Sequence, residues 1–349
     1  MNSLNFSNLT IIIPTSGNIK FLNNINFNIS NFIKLNIKVI IISSRKIEVV
    51  RNKLVKLFIL KADAHEIKIY YGLKNVKTDY TAFVRDDEII HIGGLKNIYQ
   101  EIVLNKNIAS CQGIKFIVNP YFNYKIYPHN PDSINHYNIN FLKKNILERI
   151  LNYFKWHPEC YWTIQKTKIV KKYFELFIKK KKFLPLNIYD YYFILYLLVF
   201  GEVITVSYPW SVKIKISKNK NSSFEEIYSN KIYHKEYIKN INYLSKLISK
   251  KRNLNMKVVK EKILQGMLLR LNSPKPRDFY KTYNIMQKIF SILIKISIRI
   301  KILFNSNNLL SQYDVYSSTK LNNLIYKKIL DEEKITHEFN KILSFVKKE

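Results

Sequence analysis

The fold is indicated first by residues 9–17, which read LTIIIPTSG. A run of apolar and β-branched residues is typical of a strand buried on both faces, and the closing PTSG is typical of a turn. Residues 37–42 read IKVIII and form a second run of the same kind. Because strands buried on both faces occur mainly in parallel sheets covered by helices, these two runs predict an α/β fold.

Helical and extended patterns alternate around these two strands. We predict helices over residues 21–35 and 48–60, and strands over residues 66–71 and 80–84. This alternation indicates a parallel sheet, whose ligand crevice lies at the carboxyl ends of the strands. Further along the chain the pattern predicts helices over residues 93–105, 139–154, 166–178 and 188–200, a loop over 121–140, and strands over 110–118, 203–207 and 212–217.

Length and composition bound the organisation of the chain. Its 349 residues are enough for two domains that need no disulfide or metal to fold. A polar stretch begins at residue 218, so we expect an α/β domain over residues 1–217 and a basic, mainly helical region over 218–349. The two cysteines, Cys111 and Cys160, are too few for a disulfide framework or a four-cysteine zinc site, and we interpret them as buried thiols in a reducing compartment.

The charge balance is strongly basic, at +33 from 58 Lys and Arg against 25 Asp and Glu. Such a balance favours nucleic acid or an anionic membrane surface as partner. The chain is also rich in Lys, Asn, Ile, Tyr and Phe and has only 7 Gly, a pattern typical of A/T-rich coding. Part of the basic excess therefore carries no functional meaning.

Several segment types and motifs are absent from the sequence. Residues 1–8 lack the basic region of a secretory signal, and no run of about 20 apolar residues predicts a spanning helix, so a cytoplasmic location is expected. The sequence also has no Gly-x-Gly-x-x-Gly, no Gly-Lys-Ser/Thr phosphate loop, no Gly-x-Ser-x-Gly elbow and no His-Glu-x-x-His. Dehydrogenases, phosphate-loop nucleotidases, serine hydrolases and zinc proteases of these kinds are thereby disfavoured.

A cluster of acids closes the predicted strand at residues 80–84. Residues 80–88 read YTAFVRDDE, so Asp86, Asp87 and Glu88 follow one another at the end of a buried strand. Carboxylate oxygens are hard ligands suited to Mg²⁺ or Mn²⁺, which in turn binds phosphates. The alternative interpretation is an acidic turn that is simply solvated.

The order of these motifs resembles family 2-like glycosyltransferases with the GT-A fold. Residues 11–15 (IIIPT) resemble their first strand and turn, residues 80–88 their Asp-x-Asp region, and residues 89–95 (IIHIGGL) the start of the next helix. The resemblance extends over about residues 9–215 and is nearest to a bacterial subgroup of glycosyltransferase-domain proteins. It implies a Rossmann-like α/β fold with a mixed, mostly parallel sheet flanked by helices, followed here by the helical C-terminal region.

The same resemblance implies a nucleotide-diphosphate sugar as donor. It assigns the nucleotide and ribose to Pro14, Thr15, Ser44, Arg45 and Asp86. A divalent metal, Mn²⁺ or Mg²⁺, would be bound by Asp87 and Glu88 and would neutralise the leaving diphosphate. The acceptor would be a hydroxyl of a glycan or a lipid-linked molecule, as in the synthesis of surface polysaccharides.

An inverting transfer also needs a base for the acceptor hydroxyl. Family 2 enzymes use an acid at a helix start downstream of the metal motif, and Asp190 fits that description. It could instead cap or charge the first turn of its helix. Glu159 is the rival base, and it lies between Trp156 and Trp162, whose rings suit either sugar stacking or core packing.

The C-terminal region leaves two further interpretations open. Residues 285–304 are apolar with a narrow cationic stripe, which suits a helix lying on an anionic membrane at the inner face of the cell membrane. A helix packed on the first domain has the same pattern. The whole chain could also be a basic nucleic-acid-binding protein, or a membrane-surface protein with an inactive glycosyltransferase-like domain, although no nucleic-acid motif supports the former.

Overall fold

The computed structural model describes residues 4–62, 64–119, 125–128, 145–156, 161–177, 186–214, 231–272 and 333–348. Within them, one mixed sheet is flanked by helices on both faces. Its strands are β1 Leu9–Thr15, β2 Lys38–Ser43, β3 Val55–Ile59, β4 Tyr80–Phe83, β5 Glu88–Ile90, β6 Ile108–Asn119, β7 Lys125–Pro128, β8 Ile164–Lys166 and β9 Glu202–Ile214. The helices are α1 Leu22–Lys34, α2 His65–Lys74, α3 Ile92–Leu104, α4 Ile146–Trp156, α5 Thr167–Phe177, α6 Leu186–Phe200, α7 Lys231–Arg252, α8 Met256–Asn272 and α9 Glu333–Lys348.

The strands run in the order β3-β2-β1-β4-β8-β6-β9-β5, with β7 beside β6. The first half is parallel, because β1 pairs in parallel with both β2 and β4, and β2 pairs in parallel with β3. The second half is mixed: β8 is antiparallel to β4 and β6, whereas β6 and β9 are parallel. The predicted α/β class is confirmed.

Alternate side chains of β1 pack into two separate hydrophobic cores. Ile11 and Ile13 contact the core that α1 and α3 cover, and Ile12 contacts the core that α2, α4, α5, α6, α7 and α8 cover. Every residue of β1 is therefore buried, which is the reason that the strand consists mainly of apolar and β-branched residues. Burial on both faces also fixes the register, since a shift by one residue would exchange the two sets of side chains.

Two of the predicted elements are wrong. Residues 48–60 were predicted as a helix, but they contain β3, an edge strand that is only half buried and therefore lacks clear alternation. Residues 66–71 were predicted as a strand, but they belong to α2. The buried side chains of α2 include Glu66, Ile69 and Leu73, which are spaced as on one face of a helix. The predicted strand 203–207 and residues 212–214 of the predicted strand 212–217 belong to one strand, β9, whose pairing with β6 contains irregularities, and residues 215–217 lie outside the described residues.

Helices beyond residue 217 pack on the sheet domain. Tyr237 and Ile241 of α7, and Val259 and Ile263 of α8, belong to the same hydrophobic core as Ile12. The predicted domain boundary and the amphipathic segment 285–304 lie outside the described residues. In the described part of the chain, no helix is both long enough and apolar enough to cross a membrane.

Candidate functional site at the carboxyl edge of the sheet

The carboxyl ends of β1, β2 and β4 meet at one edge of the sheet. Pro14 and Thr15 end β1, Ser44 and Arg45 follow β2, and Asp86 follows β4. The backbone N–H of Ser44 donates to the carbonyl oxygen of Thr15 at 3.2 Å, which joins the first two strand ends. The structure thus places at one sheet edge the five residues that the family resemblance assigned to the nucleotide and ribose, although their role stays a prediction.

Thr15 and Asp86 form the buried centre of this edge. The Thr15 hydroxyl donates to Oδ2 of Asp86 at 2.7 Å and accepts from the backbone N–H of Gly17 at 3.0 Å. Burial raises the pKa of Asp86, and the hydrogen bond from Thr15 opposes that rise. Gly17 has φ +78, and a Cβ there would lie 2.9 Å from the Ser43 hydroxyl, so the turn after β1 requires glycine.

Asp87 lies between two cations. Its Oδ2 is 2.8 Å from Nζ of Lys213 on β9, and its Oδ1 accepts from Nε of Arg85 at 3.1 Å. Burial alone would raise the pKa of Asp87, but the charges of Arg85 and Lys213 outweigh it. The pKa therefore lies below its ordinary value, and Asp87 is a carboxylate at neutral pH.

Glu88 is the most deeply buried of the three acids and begins β5. Its Oε1 is 3.5 Å from Nζ of Lys115 on β6, and its Oε2 accepts from the Ser211 hydroxyl at 3.1 Å. Arg85 Nε lies 3.9 Å from Oε1. Glu88 is thus a buried acid with cationic and hydrogen-bonding partners of its own.

These surroundings do not fit a preformed metal site. Both oxygens of Asp87 contact cations, and both oxygens of Glu88 contact a lysine or a hydroxyl. Among the described residues, no group of three His, Cys, Asp or Glu side chains is arranged to hold a metal ion. The metal assigned to Asp87 and Glu88 is therefore not supported by the arrangement of these carboxylates, and it stays a prediction.

Basic and aromatic side chains from α2, from the turn after β4 and from the segment before β8 continue the site. The Lys68 ammonium is almost completely buried and donates to the carbonyl oxygen of Thr15 at 2.7 Å. The Arg85 guanidinium lies 5.5 Å from the ring centroid of Trp162, within the range of a cation–π contact. His65 meets the same ring edge-on, and burial, followed by the charges of Lys68 and Arg85, lowers the pKa of His65 to about 4.

The C-terminal helix α9 reaches the segment that follows the acids. The Glu338 carboxylate accepts from the backbone N–H groups of Ile92 and Gly93, the latter at 2.8 Å, so it caps the start of α3. It also lies 3.3 Å from Nδ1 of His91. A residue near the chain end thereby holds the helix that begins just beyond Glu88.

The predicted bases are described only in part. Glu159 lies outside the described residues, as do the side chains of Asp190 and Trp156. The helix that carries Asp190 begins at Leu186, so Asp190 is in its second turn and does not cap it. The assignment of either acid as base stays a prediction.

Sequence reasoning missed the cations of this site. Lys68, Lys115 and Lys213 each stand between apolar neighbours inside a buried helix or strand, as in Ile67-Lys68-Ile69. A lysine in such a place needs a partner, because an unpaired buried charge is costly. That signal was present in the sequence but was obscured by the 58 Lys and Arg of the whole chain.

The fold resembles those of solved glycosyltransferases. S. aureus TarS 1-349, crystallised with UDP-GlcNAc, superposes with a TM-score of 0.52 at 11% identity, over 97% of this chain and 91% of that chain. The mannosyltransferase PcManGT from Pyrobaculum calidifontis, solved with GDP-Man and Mn²⁺, matches with a TM-score of 0.43 at 11% identity, over 97% and 86% of the two chains. No protein-family model matches the chain, and no curated protein matches it in sequence. The architecture is that of the GT-A glycosyltransferases, as the sequence predicted.

Proposed function

We propose that this protein is a glycosyltransferase that moves a sugar from a nucleoside-diphosphate sugar to a hydroxyl of a glycan or a lipid-linked acceptor. The observation that carries the proposal is the bond between Thr15 and Asp86, at the edge where the parallel strands of a GT-A fold end. Ligands of open α/β sheets bind in the crevice at this edge. A buried carboxyl held there by a hydroxyl is suited to orienting a ribose or a base.

The residues at this edge of the sheet would each contact a different part of the donor. Pro14, Thr15 and Asp86 would contact the nucleoside, and Ser44 and Arg45 would contact its base or ribose from the end of β2. In the reaction the bond between the anomeric carbon and the diphosphate oxygen breaks, and the electron pair leaves with the nucleoside diphosphate. The acceptor oxygen forms the new bond at that carbon.

The proton of the acceptor hydroxyl goes to a base, for which we propose Asp190, with Glu159 as the alternative. A direct displacement of this kind inverts the anomeric centre. The divalent metal implied by the family resemblance would supply positive charge for the leaving diphosphate. Because Asp87 and Glu88 already contact cations, we assign no step of the reaction to it.

The wider context of the reaction follows the same resemblance. We propose a hexosyltransferase of surface polysaccharide synthesis, cytoplasmic and peripheral at the inner face of the membrane, with the transferase domain over residues 1–217 and an accessory helical region over 218–349. The buried carboxyl of Asp86 at the crevice would have no function in a nucleic-acid-binding protein. It would also have none in a membrane-surface protein with an inactive domain.

Nucleoside-diphosphate binding tests the proposal directly. Thermal unfolding would be followed with UDP, GDP, ADP, CDP and dTDP, and the matching sugar nucleotides would then be assayed for release of nucleoside diphosphate. A ligand at 100 times its dissociation constant stabilises the fold by about 2.7 kcal/mol. No stabilisation by any of them, with or without Mn²⁺, would contradict the proposal.

Two threonines of β1 provide a matched pair of variants. Thr15→Val removes the hydroxyl that holds Asp86, whereas Thr10→Val removes a buried hydroxyl at the other end of the strand, where its partner is Thr78. Both variants replace a hydroxyl by a methyl group of similar size. Binding should be lost only in Thr15→Val, and equal binding by the two variants would remove Thr15 from the site.

A further inference from the structure

The cations around Asp87 and Glu88 are positioned by the backbone of the sheet. In the antiparallel pairing of β5 with β9, Lys213 is the direct partner of Glu88. In the parallel pairing of β6 with β9, Lys115 stands opposite Ser211. Both lysines therefore reach the acids from neighbouring strands whose register is fixed, and Arg85 reaches them from the end of β4.

The charge of the cluster is unfavourable for a divalent cation. Three cations, Arg85, Lys115 and Lys213, contact the two acids Asp87 and Glu88. A Mn²⁺ or Mg²⁺ ion favours carboxylates whose charge is not already balanced. Here it would have to displace a lysine and an arginine from Asp87 and then remain close to both of them.

The accessibility of the cations divides them into two kinds. The side chains of Lys115 and Glu88 are only 9% and 3% exposed, so that pair is internal. The side chains of Lys213 and Arg85 are 21% and 29% exposed, so both are partly accessible beside Asp87, which follows the end of β4. An ammonium carries three N–H donors and a guanidinium five, so each group can contact more than one oxygen atom.

We propose that Lys213 and Arg85, held in place by Asp87, bind the diphosphate of the donor and stand in for the divalent metal that the family resemblance implies. This inference rests on the proposed function and specifies how its donor site is charged. Charge-assisted hydrogen bonds from lysine and arginine suit phosphate oxygens. When the bond to the sugar breaks, its electron pair passes to the diphosphate, and these fixed cations stabilise the added charge.

The first test compares nucleoside-diphosphate binding in EDTA and in Mn²⁺. We expect titration calorimetry of the whole chain with UDP, GDP, ADP, CDP and dTDP to find one that binds in EDTA, with an affinity within about threefold of that in Mn²⁺. Binding that requires Mn²⁺ would overturn this inference and leave the proposed function standing. Binding under neither condition would overturn both.

The second test removes the phosphate-facing lysine. Lys213→Ala should weaken binding in EDTA by about tenfold or more, because it removes a charge-assisted hydrogen bond. Lys213→Gln keeps a polar donor of similar length without the charge, and it serves if the alanine variant does not fold. Lys56→Ala is the matched control, since Lys56 is an exposed lysine on β3 of the same sheet. Equal affinity in Lys213→Gln and the wild type would overturn the proposal.

The third test is Asp87→Asn, for which the two interpretations of Asp87, as a metal ligand or as the partner of Lys213 and Arg85, predict opposite effects on donor binding. If Asp87 binds a metal, Asp87→Asn should abolish donor binding, as the family resemblance implies. If Asp87 only holds Lys213 and Arg85, the asparagine oxygen keeps a contact while one negative charge leaves the site. Binding in EDTA should then be retained or become tighter, and its loss in Asp87→Asn would overturn the proposal.

Discussion

Two neighbouring residues at the start of α2 should titrate with opposite effects on stability. Glu66 is only 5% exposed, and its Oε2 has no hydrogen-bond partner among the residues that the structure describes. Burial raises the pKa of Glu66 from 4.5 to about 7. Because the folded state holds this proton more tightly than the unfolded state does, the free energy of unfolding falls as the pH rises from about 4.5 to 7.

His65 acts in the other direction. Burial, and then the charges of Lys68 and Arg85, lower the pKa of His65 from 6.5 to about 4. The unfolded state therefore holds this proton more tightly, and the free energy of unfolding rises with pH between about 4 and 6.5. At about 1.4 kcal/mol per pKa unit, each effect amounts to roughly 3 kcal/mol, so the two nearly cancel in the wild type.

Single variants should separate the two contributions. The variants are Glu66→Gln and His65→Gln, and the assay is urea unfolding followed by circular dichroism at intervals between pH 4.5 and 8. Relative to the wild type, Glu66→Gln should gain about 3 kcal/mol of stability as the pH rises to 7, whereas His65→Gln should lose a similar amount up to about pH 6.5. Differences that do not change with pH, or that slope in the same direction, would refute the reasoning. The double variant is the control and should differ from the wild type by a nearly constant amount.

Three further predictions concern the helices around the site. Glu338→Gln should lower the free energy of unfolding, measured in urea titrations, by about 1 kcal/mol, because it weakens the cap on α3. An unchanged free energy of unfolding would mean that α9 does not stabilise the start of α3. Gly94→Ala should lower the free energy of unfolding by at least about 3 kcal/mol, because the new Cβ would lie 1.6 Å from the carbonyl oxygen of Pro209. In the control Gly93→Ala the nearest atom is 3.1 Å from the new Cβ, so the loss of stability should be much smaller. Equal losses in the two variants would contradict the packing of α3 on β9. Asp190→Asn should reduce turnover by a factor of about 10²–10⁴ and leave donor binding intact. Full activity of Asp190→Asn, together with loss of activity in Glu159→Gln, would assign the base to Glu159 instead.

The fold could be predicted where burial on both faces leaves a clear pattern. The run at residues 9–13 is apolar because Ile11 and Ile12 lie in different cores, and the strand was correctly identified. The exchange of helix and strand between residues 48 and 71 has two physical causes. β3 is a half-exposed edge strand, and α2 buries Glu66 and Lys68, so the charges of α2 do not mark its solvent face.

The candidate site was predictable only where its residues are neighbours in sequence. Asp86, Asp87 and Glu88 follow one strand, so their clustering is visible in the chain itself. Two of their counter-ions, Lys115 and Lys213, come from β6 and β9, and they meet the acids only because β5 pairs with β9 and β9 pairs with β6. No local pattern encodes those pairings, and yet they decide whether the acids present free carboxylates to a metal or are already neutralised. A motif that suggests metal binding in sequence can therefore have a different chemistry in the folded protein, and the balance of charge around Asp87 is what distinguishes the two.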